Sequence, residues 1–185
     1  MEAHHFLKYG VMKSLAEQQL VDCAQAFNNF GCNGGLPSQA FEYLMYSGGL
    51  DNETTYPYTA KDGKCTFKKA DAVAKVAFVN NITAFDEDEL HLAVGNVGPV
   101  SIAYQVAHDF RYYKSGVYDG KCDDTPDKVN HAVVAIGYGA TDKGKPYWTV
   151  RNSWGTSFGM DGYFKISRGK NKCGLADCAA FPTPL

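Results

Sequence analysis

The order of patterns along this 185-residue chain predicts an α+β fold in two lobes. Three observations carry the prediction. Residues 1–80 hold helical periodicities broken by glycines, a mainly helical lobe. Residues 81–185 open with one helix and then turn to antiparallel strands. The strongest strand pattern folds back on itself as a hairpin: Asn130-His131-Ala132-Val133-Val134-Ala135-Ile136-Gly137-Tyr138-Gly139, a polar loop from Ala140 to Pro146, then Tyr147-Trp148-Thr149-Val150-Arg151-Asn152-Ser153-Trp154-Gly155. A cleft between two lobes is a common place for an active site.

The elements follow in order. Glu2 to Tyr9 reads as a helix with Ala3, Phe6 and Leu7 on its apolar face, stopped by Gly10. His4 and His5 are adjacent, point in different directions and read as ordinary helix residues. Ser14-Leu15-Ala16-Glu17 has the pattern of a capping box opening a short helix through Val21. Gly31-Cys32-Asn33-Gly34-Gly35 is too rich in glycine for a regular element. Pro37 suits the first turn of a third helix, which carries Phe41, Leu44 and Met45 and ends at Gly48-Gly49. Gly49 to Ala72 is loop-rich. Asp86-Glu87-Asp88-Glu89 starts another helix with negative charge where the dipole favours it. Its stripe is Leu90, Ala93, Val94 and Val97, and Gly98-Pro99 ends it. Val100 to Val106 and Gly162 to Ser167 complete the strands.

Composition narrows the function. The chain is 45% hydrophobic, enough for a core, and its net charge of −2 favours neither nucleic acid nor an anionic membrane as a partner. No apolar run approaches the length of a membrane span, and no repeat is visible. Met-Glu-Ala-His-His is not a signal peptide, so either the chain never had an address or it is the interior of a longer precursor, and the composition that follows argues for the second. Six cysteines without Cys-x-x-Cys or a His at metal spacing argue against a metal and for disulfides in an oxidising compartment. Two glycosylation sequons, at Asn52 and Asn81, agree with passage through the secretory pathway. No cofactor is expected.

The midpoint of positions 131 and 152 falls inside the Ala140-to-Pro146 loop, so the hairpin is expected to set His131 and Asn152 face to face. Alone, a His heading an apolar strand is more often structural. Beside Asn152 and Trp154 it reads as half of a nucleophilic site. The indole can shield an Asn–His hydrogen bond from water. Asn orients the ring without adding a negative charge, which suits a thiolate–imidazolium pair.

With these residues on the page, the chain resembles the papain-like cysteine proteases, and within them the cathepsin H and aleurain group. The matching pieces span nearly all of it: Ser14 to Cys23, Gly31 to Pro37, Tyr56-Pro57-Tyr58, Gly98-Pro99-Val100-Ser101, Asn130 to Val133, Asn152 to Gly155 and Cys173-Gly174-Leu175. The resemblance implies a papain-like two-lobe fold with a β-barrel-like second lobe, the cleft between the lobes, and a C-terminal tail crossing back to the first lobe. It implies that His131 is the general base and acid and Asn152 its orienter. Gly34 and Gly35 would bind the substrate backbone, glycine being needed for its close approach. Leu36, Pro37, Ala103, Val129 and Cys178 would line the pocket for the residue two before the scissile bond, with Asn130 and Trp154 also at the substrate. It implies the disulfides Cys23–Cys65 and Cys122–Cys173. It implies peptide or protein substrates, cystatin-type inhibitors, a monomer, and a vacuolar, lysosomal or extracellular location.

One departure stands out. The family's nucleophile lies in a Cys-Gly-Ser-Cys-Trp type motif roughly 130–150 residues before the histidine, and no cysteine here matches it. Met1 to Gly10 resembles the later part of the helix that carries it, and the oxyanion-hole Gln is missing too. Two cysteines are then left over. The family partner of Cys32 belongs to that motif, and a Cys at position 178 tethers a propeptide mini-chain in cathepsin H-like enzymes. Both could instead be buried thiols or pair with each other. The chain as it stands is expected to be inactive. The rival is a non-catalytic homologue that binds peptides or inhibitors.

Overall fold

The computed structural model describes residues 1–185 and divides into two compact units, Met1–Asn80 with Phe181–Leu185, and Asn81–Ala180.

In the first unit, α1 (Glu2–Tyr9) ends at Gly10, whose positive φ lets its N–H reach the Phe6 carbonyl. The buried face of α1 is not the expected one. Phe6 and Leu7 are 45% and 60% exposed, while His4 and His5 are buried at 5% and 6%. The rings explain the reversal: His4 stacks on Phe181, and His5 packs on Tyr9 while its Nδ1 bonds the Val11 carbonyl at 3.0 Å. Two helical turns are too short for apolar periodicity to outweigh such contacts. The capping box does not form either. Residues 14–16 are held extended, with Ala16 N–H on Asp51 O, Glu53 N–H on Ser14 O, and Leu15 bridged to Asn52. That backbone is committed to Asp51–Glu53, so α2 (Glu17–Cys23) starts from Ala16 without a side-chain cap.

Two glutamines on α2 hold the unit from inside. Gln19 is fully buried; its Nε2 donates to Tyr43 Oη and Gly49 O, and its Oε1 accepts from Asp51 N–H. Gln18 donates to Asp22 and Lys61 O and accepts from Thr59 N–H. α3 (Pro37–Ser47) buries Phe41, Tyr43 and Leu44, with Met45 only partly covered. Cys23 and Cys65 form a disulfide. A strand the sequence did not announce, β1 (Val76–Asn81), lies beside the C-terminal strand β7 (Ala180–Pro184), where Asn80 Nδ2 donates to Thr183 Oγ1 at 2.8 Å.

In the second unit, α4 (Glu87–Asn96) is capped by Asp86, whose carboxylate accepts from the N–H groups of Asp88 and Glu89. Leu90, Ala93 and Val94 are buried, but Val97 falls past the last turn and is exposed. Five strands run in the order β2 (Val100–Tyr104), β4 (His131–Ala140), β5 (Pro146–Arg151), β6 (Tyr163–Ser167), β3 (Val117–Tyr118). All pairs are antiparallel except β3 with β6. β2 stops short of Val106 because the next N–H groups leave the ladder: Gln105 donates to Cys173 O and Val106 to Asn130 Oδ1. Trp148, Tyr104, Phe110, Phe164, Ile102 and Ile166 are fully buried. Cys122 and Cys173 form the second disulfide. No helix is long and apolar enough to cross a membrane.

Glu87, in the acidic first turn of α4, is buried. Its carboxylate accepts from Trp148 Nε1 at 2.9 Å, Gly169 N–H at 2.7 Å and Asn171 N–H. Glu87→Ala strands the buried Trp148 indole N–H, at about 1–3 kcal/mol for a buried group left unsatisfied, and leaves the part-buried N–H groups of Gly169 and Asn171 to water. The expected outcome is a loss of about 1–3 kcal/mol in urea unfolding and an altered Trp148 emission. A wild-type midpoint would refute this role for Glu87.

Candidate active site

His131 is the first residue of β4, and Asn152 follows the last residue of β5. Their side chains meet: His131 Nε2 and Asn152 Oδ1 are 2.9 Å apart. The backbone route differs from the loop-centred count. Ala140 pairs with Pro146, so the loop centres on Lys143, and the register then shifts between Ala135 and Gly137. Val134 pairs with Arg151, which sets Asn152 level with Val133, two residues beyond His131 on the same face. The bond is therefore diagonal, within the reach of same-face neighbours on adjacent strands.

Asn152 Oδ1 also accepts from Ser153 N–H at 2.8 Å, and Asn152 N–H is held by Gly162 O. Oδ1 is therefore the acceptor, which assigns the proton to His131 Nε2 and leaves Nδ1 as the basic nitrogen. Asn152 is 8% exposed and its Nδ2 is buried without a partner. Trp154 stacks on the imidazole with centroids 5.1 Å apart, and packs edge-on against Phe158 and Phe110. Asn130 fastens the entry to β4: its N–H donates to Tyr104 O and its Oδ1 accepts from Val106 N–H.

The remaining candidates divide between the units. In the first, Gly34 has φ +98, which favours glycine by itself. At Gly35 a Cβ would sit 1.9 Å from Asn29 Oδ1, so this chain's own packing demands glycine there, apart from any approaching peptide. Leu36 caps α3 and Pro37 begins it. In the second unit, Ala103 is buried and pairs with Ala132 on the sheet face opposite His131. Val129 and Asp177 both crowd Gly174, which places Val129 next to the segment leading to Cys178. No group of three or more His, Cys, Asp or Glu residues is arranged to hold a metal ion.

Cys32 and Cys178 are free thiols. Desolvation and the Asp62 carboxylate push the Cys32 thiol up, and burial with Asp177 does the same to Cys178. Both shifts oppose the thiolate that a nucleophile requires. The residues that pattern reading missed are Tyr104, Phe110 and Phe158, the aromatic surroundings of His131 and Trp154. Tyr104 fell within a predicted strand, and nothing local marked any of the three as neighbours of an imidazole.

Comparison with known proteins agrees with this geometry. The profile of a family described as "Papain family cysteine protease" matches residues 1–183. The thiol protease aleurain of Arabidopsis thaliana is 58% identical over 183 residues, 98% of this chain and 51% of that protein. Pro-cathepsin H of Mus musculus is 60% identical over 176 residues, 95% of this chain and 53% of that protein. Among solved structures, bromelain protease from Ananas comosus in complex with the E64 inhibitor has a TM-score of 0.87 at 36% identity, covering 98% of this chain and 83% of that one. Digestive procathepsin L2 from Tenebrio molitor has a TM-score of 0.90 at 39% identity, covering 97% and 57%. The chain thus spans about half the length of the curated relatives it matches.

Two outcomes are expected. Asn152→Ala removes the acceptor of Nε2–H, so the imidazole should populate both tautomers; ¹⁵N shifts of the His131 ring unchanged from wild type would refute the assignment. Asp177 is buried with Oδ2 unpartnered, and burial, then Asp124, raises its carboxyl above the ordinary range. The folded state then keeps a proton that the unfolded state has lost. Stability should fall as pH rises from the ordinary carboxylate range through the folded value. Asp177→Asn should flatten that slope in unfolding measured against pH; an unchanged slope would assign it to other groups.

Proposed function

We propose, from the premise that this chain belongs to the papain family of cysteine proteases, that it serves in a peptidase of aleurain and cathepsin H type. The observation that carries the proposal is the 2.9 Å bond from His131 Nε2 to Asn152 Oδ1, which leaves Nδ1 open to exchange a proton with a thiol. In the proposed reaction a thiolate attacks the peptide carbonyl. Protonated His131 donates to the leaving amine, and the acyl-enzyme forms. His131 then takes a proton from water, which releases the acid and regenerates the thiolate.

The same reading holds that the thiolate is supplied by residues other than these 185. Four cysteines are in disulfides, and the environments of Cys32 and Cys178 favour the protonated thiol. By the family resemblance, substrate side chains of modest, apolar character are proposed to suit Leu36 and Pro37 in the first unit and Ala103, Val129 and Cys178 in the second. Cys178, half-buried and free, is available to tether a propeptide mini-chain, which would turn an endopeptidase into an aminopeptidase. Cystatin-type inhibitors and a monomeric state remain part of the proposal. Glycosylation at Asn81 is supported by its exposure, and Asn52 is half-buried. With the disulfides, these sites support passage through the secretory pathway toward a vacuole, a lysosome or the outside of the cell.

The 185 residues alone should show no peptide turnover. Loss of one member of a catalytic set leaves about 10³–10⁴-fold over water where the oxyanion hole persists. Incubation with an epoxide thiol-protease probe, followed by mass spectrometry and a fluorogenic peptide assay, tests this. Labelling of Cys32 or Cys178 together with turnover would overturn it. The coding sequence just upstream is the second check: an in-frame Cys-Gly-Ser-Cys-Trp motif supports the peptidase, and a stop codon supports a non-catalytic peptide binder.

A further inference from the structure

We propose that Tyr104 is a positioning residue for His131, forming one wall of an aromatic circuit that holds the imidazole in line for its bond to Asn152. The proposal rests on the reading of His131 as the base; the geometry behind it does not.

β2 and β4 pair with Val100 opposite Ala135, Ile102 opposite Val133, and Tyr104 opposite His131. Directly opposed residues share a face, so this last pair sets a titratable ring on the core face of the sheet. Tyr104 is 1% exposed, and its ring centroid lies 5.9 Å from that of His131. Trp154 stacks on the same imidazole at 5.1 Å. Phe110, fully buried, touches both partners, at 5.4 Å from Tyr104 and 6.1 Å from Trp154. His131, Tyr104, Phe110 and Trp154 therefore close a circuit of ring contacts. Asn152 holds one edge of the imidazole, and the circuit limits rotation out of that plane, since a swing must displace a ring that is itself packed. Phe164 backs Tyr104 at 5.5 Å. The Tyr104 carbonyl also accepts from Asn130 N–H, so this one residue restrains both the ring of the base and the backbone leading into it.

The hydroxyl of Tyr104 does not explain its presence, because it is buried without a hydrogen-bond partner. A buried polar group in that state costs stability, so the ring is what serves the site. Burial also raises the phenol's pKa, which keeps the group neutral beside a histidine that must cycle through a charged form. A core residue with no positioning role would need only to fill volume. That difference is measurable.

The test is ¹⁵N NMR of the imidazole rings in the 185-residue chain, comparing wild type with Tyr104→Phe and Tyr104→Leu. Tyr104→Phe should keep the Nε2–H tautomer of His131 and raise the melting temperature. Tyr104→Leu should keep a dispersed backbone spectrum while the two His131 ring nitrogens move toward a common averaged shift. Wild-type ring shifts in a folded Tyr104→Leu protein overturn the proposal. If that variant loses its fold, Tyr104→Met is read in the same way. Unfolding of both also overturns it, because the ring is then a strut of the whole sheet and not the seat of one histidine. None of these readouts needs turnover. Failure of the peptidase reading would appear separately, as activity that survives His131→Ala in a longer, active form of the protein.

Discussion

The register of β4 decides where the chemistry of the second unit sits. β4 lies between β2 and β5, and its alternation is held from both sides: Ile102 against Val133, Val100 against Ala135, and Ala135 against Val150. A slip of one residue would turn the whole set, His131 included, to the other face. The irregularity between Ala135 and Gly137 matters for the same reason. If the register at the hairpin tip ran on unchanged, Asn152 would fall level with Val134, on the face away from His131. One extra residue on β4 moves it level with Val133 and so onto the histidine's side. The His–Asn bond is a consequence of that bulge as much as of the two residue types.

Buried polar side chains do the joining that apolar contacts leave undefined. Gln19 ties α2 to α3 and to the Gly49–Asp51 turn, and Gln18 ties it to the loop at residues 59–61. Glu87 ties the start of α4 to Trp148 and to the turn after β6. Each group uses both ends of its amide or carboxylate, which is the condition for burying it without penalty. Apolar contacts of similar area could slide; these bonds define one arrangement.

The neighbourhood of His131 is built from neutral groups. Its hydrogen-bond partner is an amide, and its ring neighbours are an indole and a phenol that burial keeps un-ionised. No carboxylate hydrogen-bonds the imidazole. The free thiols have the opposite surroundings, with Asp62 beside Cys32 and Asp177 beside Cys178, both disfavouring a thiolate.

Much of this was legible from sequence where the signal was local. Gly10 and Gly48 stop their helices, Pro37 starts one, Asp86 caps another, and the first hairpin strand lies within a residue of its pattern, whereas the second ends at Arg151, short of Gly155. The pairing of a His with an Asn as a chemical unit was legible too, as was the resemblance to the papain family. Other features came only with tertiary structure. These include the inward turn of His4 and His5, the extended pairing of Leu15 with Asn52 in place of a capping box, β1 beside β7, the bulge at Ile136, the buried Glu87 and the wall made by Tyr104. Their common reason is range. A cap or a helix stop depends on atoms a few residues away, so residue types along the chain determine it. Glu87 finds Trp148 61 residues on, and β1 finds its partner strand about a hundred residues later, as Asn80 finds Thr183 at a separation of 103. Those partners exist only once the chain has folded.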